Sequence, residues 1–337
     1  MPSVGPAPLS VLDLAPVSSG STPADALRNS LDLARHVERL GYTRHWVAEH
    51  HNMPGIASSS PPVLIAHIAS VTETIRVGSG GVMLPNHQPL VVAEQFGMLE
   101  ALHPGRIDLG IGRAPGTDQI TAAALRRSMD PAADDLPQQL GELVAFFEGR
   151  YPRITAVPGA GYKPAIWLLG SSGFSAQLAG QLGLPFSFAH HFMPNNTLAA
   201  LDLYRRSFRP STTLEAPYAK IGVAAICAPT DEEAQWLHGP GGLSFLRLRS
   251  GRPGTFPTPE EAAAHEYTEA ERSFVDGWQS SHVVGSPETV RTGLEELQAR
   301  TGADELMVTT MTHGHAERVR SYELIAEALG DRAAEAA

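Results

Sequence analysis

Short apolar runs alternate along the chain with stretches whose apolar residues recur at helical spacing, the pattern of a parallel α/β architecture. Residues 9–14 read as a first strand. Residues 24–40 follow as a helix, with Leu27, Leu31, Leu33, Ala34, Val37 and Leu40 on one face, Thr22-Pro23 at the start and Gly41 at the stop. The same reading places further strands at 44–49, 75–84, 107–112, 165–170, 186–189, 220–228 and 305–310. Helices are expected between them at 61–71, 90–102, 174–182, 197–208 and from Ser286 to Arg300, with a closing helix at 315–329. Two connections are longer. Residues 113–164 elaborate the fourth unit, with helical patterning at 118–127 and 136–148. Residues 229–284 are weakly patterned and rich in Gly, Pro and Glu, with helical character around 259–274. Eight strand–helix units predict a single (β/α)8 TIM barrel over 1–337, with insertions after strands four and seven. A long loop beside a barrel mouth is usually mobile or functional, so 229–284 is a candidate lid.

The length of 337 residues suits one such barrel, and a charged fraction of only 18% leaves ample apolar sequence for its core. The net charge of −11, with neither sign blocked into a tail, argues against a nucleic-acid or anionic-lipid partner. Lys163 and Lys220 are the only lysines, so Schiff-base chemistry has two candidates. Met1 to Ser10 lack the basic and apolar regions of a leader, and no apolar run approaches the ~18 residues of a membrane span. The expected location is the cytoplasm. Cys227, the one cysteine, excludes an intrachain disulfide and reads as a buried strand residue.

Chemistry in a (β/α)8 barrel sits where strands end, so the residues just past each strand carry the search. Strand two runs into Glu49-His50-His51-Asn52, and a histidine there can exchange a proton near neutral pH or pack as an ordinary side chain. Strand three contains Gly78, Gly80 and Gly81, which mark either a corner kink or a bulge over which a flat ring can lie. Strand four ends at Gly112-Arg113, a gap beside a fixed cation. Strand five ends at Gly170-Ser171-Ser172-Gly173-Phe174 and enters a helix, which is either a plain N-cap or, with Arg113, a phosphate clamp. His190-His191 after strand six and His313 after strand eight either line a substrate pocket or bind metal. Strand one ends Asp13-Leu14-Ala15-Pro16, without the paired histidines of a barrel metal site, so no metal is expected.

The order and spacing of four of these stretches resemble the bacterial luciferase-like, flavin-dependent monooxygenase family over nearly the full chain. They are residues 46–51 (Trp-Val-Ala-Glu-His-His), 78–87 (from Gly78 to His87), 110–116 (from Gly110 to Gly116), and 170–172 with 183–185. Within the family the chain is most similar to oxidoreductases that tailor secondary metabolites, aromatic polyketides among them. The resemblance implies reduced FMN at the C-terminal mouth of the barrel. It implies that His50 assists catalysis beside the flavin and that a cis peptide joins Gly80 and Gly81 beneath the ring. It implies further that Gly112, Arg113, Gly170, Ser171, Ser172 and Phe174 complete the cofactor site. Luciferase carries a reactive cysteine where this chain has Gly112, and its strand-six mouth differs from His190-His191, so neither luminescence nor long aldehydes are expected.

The expected activity is that of an FMNH2-dependent, two-component monooxygenase that uses O2 through a C4a-hydroperoxyflavin to oxidise a small organic substrate. His51, His190, His191 and His313 are the expected substrate-side residues. Hydroxylation, epoxidation and Baeyer–Villiger insertion are equally compatible with the residues. No Gly-x-Gly-x-x-Gly follows a strand, so a separate flavin reductase is expected to supply FMNH2. The apolar character of 61–71 and 89–102 predicts a homodimer. An F420-dependent dehydrogenase of the same barrel family, a metal-dependent barrel hydrolase and a non-catalytic flavin-binding protein are the alternatives.

Overall fold

The computed structural model describes residues 7–114, 116–125 and 135–335. The described residues form nine strands: β1 (Leu9–Asp13), β2 (Arg44–Val47), β3 (Arg76–Met83), β4 (Ile107–Gly112), β5 (Ala165–Gly170), β6 (Phe186–Phe188), β7 (Ala219–Cys227), β8 (Val283–Gly285) and β9 (Glu305–Thr309). All except β8 pair in parallel in the order β6-β5-β4-β3-β2-β1-β9-β7. Pairing of β6 with β7, Ser187 opposite Lys220, closes the ring. The result is the expected closed eight-stranded (β/α)8 barrel. The helices around it are α1 (Pro23–Arg39), α2 (Pro61–Ser70), α3 (Pro89–Leu102), α4 (Gln119–Ala124), α5 (Leu136–Phe147), α6 (Gly173–Leu182) and α7 (Thr197–Ser207). They continue with α8 (Asp231–Arg249), α9 (Pro259–Ala263), α10 (Glu269–Gln279), α11 (Pro287–Thr301) and α12 (His315–Glu335).

Local chemistry explains the elements that were legible. Thr22 caps α1 reciprocally with Asp25, Pro23 sits in the first turn, and Ala26, Leu33, Ala34 and Val37 bury one face against the strands. Successive strand residues point to opposite faces. One set, including Val11, Val47, Val77, Leu109, Leu168, Ile221 and Val308, meets the helices in the main core. The other set fills the barrel: Leu12, Trp46, Ala48, Trp167 and Met307, with the two indoles edge-on at 5.4 Å. Burying such side chains contributes about 1.5–3 kcal/mol each, enough to fix the register of every strand.

The two long connections depart from expectation. In the first, the helix expected at 118–127 is only α4, and its expected end at Arg127 lies outside the described residues. In the second, weak patterning hid a largely helical insertion. Helix α8 shows no clean apolar stripe because it is covered from several sides: it buries Ala234, Leu237, His238, Leu243 and Leu246 and carries Pro240 internally. Helices α9 and α10 fall on the helical part expected at 259–274. Strand β8 pairs with the end of β7, Val283 to Gly285 against Ala225 to Cys227, outside the barrel ring. Three residues are too few to display an alternation, so no sequence signal marked it. The insertion reaches across to the opposite rim, where Phe256 is buried and bridges Ser18: its N–H donates to Val17 O at 2.8 Å and its carbonyl accepts from Ser19 N–H at 2.8 Å.

Candidate active site

The floor of the C-terminal mouth is made of glycines because large side chains lie directly beneath it. A Cβ on Gly80 would come within 2.6 Å of Leu12 Cδ1 and 3.3 Å of the Trp46 ring. One on Gly110 would come within 3.1 Å of that ring, and one on Gly81 within 3.2 Å of Leu169. The backbone of β3 and β4 therefore rests on the indole layer, and the mouth side of Gly80 stays partly exposed. The register of β3 against β4 shifts between Gly80 and Val82, and the Gly80–Gly81 peptide is cis. This is the bulge reading of the glycine run. Gly112 has a neighbour of its own: Met83 Sδ lies 2.8 Å from where a Cβ would sit, so the thioether occupies that space.

Two imidazoles follow the ends of β2 and β6, and the charge of one is felt at the other. His50 follows β2, anchored by its N–H to Ser58 O at 3.0 Å, and its ring hydrogen-bonds the Gly116 backbone. Burial lowers its pKa, outweighing the Gly116 bond and the Glu49 charge. His191 lies within electrostatic reach of His50 and packs its ring onto Gly222 of β7. A Cβ there would lie 2.6 Å from Nδ1, so the glycine provides the space for the ring. Burial lowers the His191 pKa too. Both rings are thus neutral at pH 7, able to donate from one nitrogen and accept at the other.

Arg113, exposed at the end of β4, lies over the Phe174 ring at 4.6 Å in the first turn of α6. Gly170 lets β5 approach that turn, since a Cβ would meet Ser175 at 2.7 Å. The Ser172 hydroxyl at the N-cap makes no capping bond, and the Ser171 carbonyl accepts from Asn196 Nδ2 at 3.3 Å. A guanidinium, a hydroxyl and the unpaired N–H groups of a helix start thus converge, the composition of an anion site.

The remaining histidines divide. His51 points back, its Nε2 donating to Glu49 Oε1 at 3.0 Å. His190 is 3% exposed and bonds Thr197 Oγ1 at 2.8 Å at the start of α7, and burial brings its pKa down to about 4. His313 joins the rim above β9 to the segment after β1, 3.2 Å from Ser19 Oγ and 3.1 Å from Ser19 O. Of the four substrate-side candidates, His191 lies against Gly222 within electrostatic reach of His50. The other three are held by Glu49, Thr197 and Ser19. Among the described residues no three His, Cys, Asp or Glu side chains are grouped as metal ligands.

Comparison with known proteins decides the affiliation of this mouth. The family profile described as luciferase-like monooxygenase matches residues 8–305. The chain belongs to the luciferase-like monooxygenase family. A luciferase-like monooxygenase of Escherichia coli (strain K12) is 49% identical over 317 residues, covering 94% of this chain and 95% of the relative. The N-acetyl-S-alkylcysteine monooxygenase of Bacillus subtilis (strain 168) is 34% identical over 331 residues, covering 95% and 98%. The solved structure of apo-MsnO8 superposes with a TM-score of 0.87 at 42% identity, covering 96% of this chain and 98% of that one. As a member of this luciferase-like family the chain is an enzyme of the flavin-dependent monooxygenase type. Sequence reading had named Glu49 beside His50 without giving it a role, and had given none to His87, Met83 and Phe256. Glu49, Met83 and His87 stood in the motif stretches, and the signal for Glu49 was a carboxylate beside a strand-end histidine. The roles of Met83 and Phe256 had no local signal, because only folding brings them to Gly112 and Ser18.

Proposed function

We propose that the chain is the oxygenating component of a two-component monooxygenase, taking FMNH2 from a separate reductase and oxidising a small organic substrate with O2. The observation that carries this reading is the occurrence, at the ends of neighbouring strands, of a side-chain-free floor at Gly80–Gly81 and of Arg113 over Phe174 at the start of α6. A flat ring with a phosphate tail needs both. Bound there, reduced FMN supplies the electrons that activate O2. The chain's own residues position and shield: Arg113 and the α6 start hold the phosphate, Gly112 and the Met83 thioether border the ring edge, and the strap at Phe256 narrows access of water. His50, neutral and tied to Gly116, is placed to hold or pass a proton at a ring nitrogen, and His191 presents a second such nitrogen on the substrate side. His51, His190 and His313 support that side from behind. Phe192 and Met193, exposed directly after His191, favour an apolar substrate, aromatic polyketides being the class that the resemblance implies. The insertion 229–284 acts as the lid.

Val63 on α2 and Val91, Met98 and Leu102 on α3 are exposed, which supports a homodimer through these helices, measurable by light scattering. No helix among the described residues is long and apolar enough to cross a membrane, and the enzyme is proposed to work in the cytoplasm beside its reductase. The deciding experiment is an anaerobic titration with FMNH2 and, separately, with reduced F420, followed by admission of air. FMNH2 binding with an O2-dependent transient is expected. Binding of reduced F420 alone overturns the reading in favour of hydride transfer.

A further inference from the structure

The mouth holds a buried carboxylate bonded from several sides. Glu49 is fully buried just past β2. Its carboxylate accepts from the Met83 N–H at 3.0 Å, Asn86 Nδ2 at 3.2 Å, His51 Nε2 at 3.0 Å and His87 Nε2 at 2.9 and 3.1 Å. Four donors therefore meet the roughly four lone-pair sites of an ionised carboxylate, which has no donor of its own. Burial would raise the Glu49 pKa, but His87, His51 and the Met83 amide outweigh it and keep the group ionised.

The donors come from different strand ends. His51 shares the segment of His50, and Met83, Asn86 and His87 follow the Gly80–Gly81 floor. The His51 backbone reaches the third strand end, with its N–H on Gly116 O at 3.2 Å and its carbonyl accepting from Thr117 Oγ1 at 2.9 Å. Met83, fixed by its amide, carries the thioether that fills the gap at Gly112. One carboxylate thus ties the end of β2 to that of β3, and the His51 backbone carries the tie to the segment after β4; these ends between them present His50, Gly80–Gly81 and Gly112.

We infer that Glu49 is the positioning residue of this site, setting the height of the cofactor floor relative to His50 through His87, His51 and the Met83 amide. The inference rests on the flavin reading above. An amide cannot replace the carboxylate, because one end of Gln presents N–H groups to donors already in place, leaving buried groups unsatisfied.

The test uses the full-length protein, anaerobic FMNH2 titration, the visible circular dichroism of the bound flavin, and thermal unfolding. Glu49→Gln is expected to weaken FMNH2 binding about tenfold and to change the flavin dichroism. His87→Leu, which removes one donor, should change the dichroism in the same sense, whereas His87→Gln, which keeps an N–H donor, should restore the wild-type spectrum. The double variant Glu49→Gln/His87→Leu should be no worse than Glu49→Gln alone, since both act through one contact. If Glu49→Gln fails to fold, the His87 pair decides alone: identical spectra for His87→Leu and wild type overturn the inference. A Glu49→Gln protein with lowered melting temperature but unchanged affinity and dichroism also overturns it, leaving a purely structural role. Wild-type protein that binds no FMNH2 overturns the flavin reading itself, an outcome seen before any variant is made.

Discussion

At the N-terminal end of the barrel, Asp108 accepts from Arg44 at 2.9 Å, from Arg76 Nε at 3.0 Å and from Trp46 Nε1 at 3.0 Å. Glu305 takes Arg44 Nε at 3.0 Å, Ser10 Oγ at 2.6 Å and Tyr218 OH at 2.9 Å. At the C-terminal end, Arg113 is exposed at the rim, His50 and His191 follow the strand ends, and Gly80, Gly81 and Gly110 carry no side chain. Both ends carry charged and titratable groups on strand termini, yet the first is closed on itself and the second is open to a ligand. The bottom network balances two guanidiniums against two carboxylates. Lys220 adds an amine 3.0 Å from the Trp46 ring centre and 3.8 Å from Glu305, which burial drives well below the ordinary lysine range. Perturbed titration therefore marks both ends, and exposure at the rim separates a site from a structural plug.

The largest effect expected from this contrast is at the bottom. Asp108→Ala takes one carboxylate from two guanidiniums and the acceptor from the Trp46 N–H, and should cost about 3–5 kcal/mol in denaturant unfolding. Lys220→Met, which removes no hydrogen-bonded partner, should cost under about 1.5 kcal/mol. Equal losses from the two would break the account of the plug. At the mouth the balance reverses: His50→Gln should lower turnover about 100-fold while leaving the melting temperature unchanged, measured by steady-state oxygen consumption. A smaller effect is expected for Arg113→Ala, about tenfold weaker binding of FMN with the affinity for riboflavin untouched. A loss shared by riboflavin would place the guanidinium elsewhere than on the phosphate.

The smallest effect belongs to the insertion, where His238 Nε2 and His282 Nδ1 are 2.9 Å apart. Burial brings His238 down to about 4; burial and then the His238 charge bring His282 to about 3. Unfolded histidine titrates near 6.5, so between about pH 6.5 and 4 the unfolded segment binds more protons than the folded one. Stability of the insertion is thus full above about pH 6.5 and falls as the pH is lowered. Hydrogen exchange over residues 231–285 at pH 7 and pH 5 should show faster opening at the lower pH, and His282→Asn should flatten the difference.

The sequence by itself determined the barrel and directed attention to its strand ends. Alternating runs fixed which strand faces meet the helices, and the strand-end rule brought His50, Arg113 and the Ser171-Ser172 turn forward before any coordinates. These are local properties: a period of two or 3.6, a cap, a glycine. Residues whose meaning depends on a distant partner stayed illegible. Glu49 gains its role from His87 and Met83, more than thirty residues away. His190 and His191, adjacent in sequence, part company because one meets Thr197 on α7 and the other Gly222 on β7. The glycines of β3 read as room for a ligand, and folding added a second reason for them, the Trp46 indole beneath. Tertiary structure decided these matters because a side chain's function follows from what surrounds it in space, and closing the barrel sets segments hundreds of residues apart side by side.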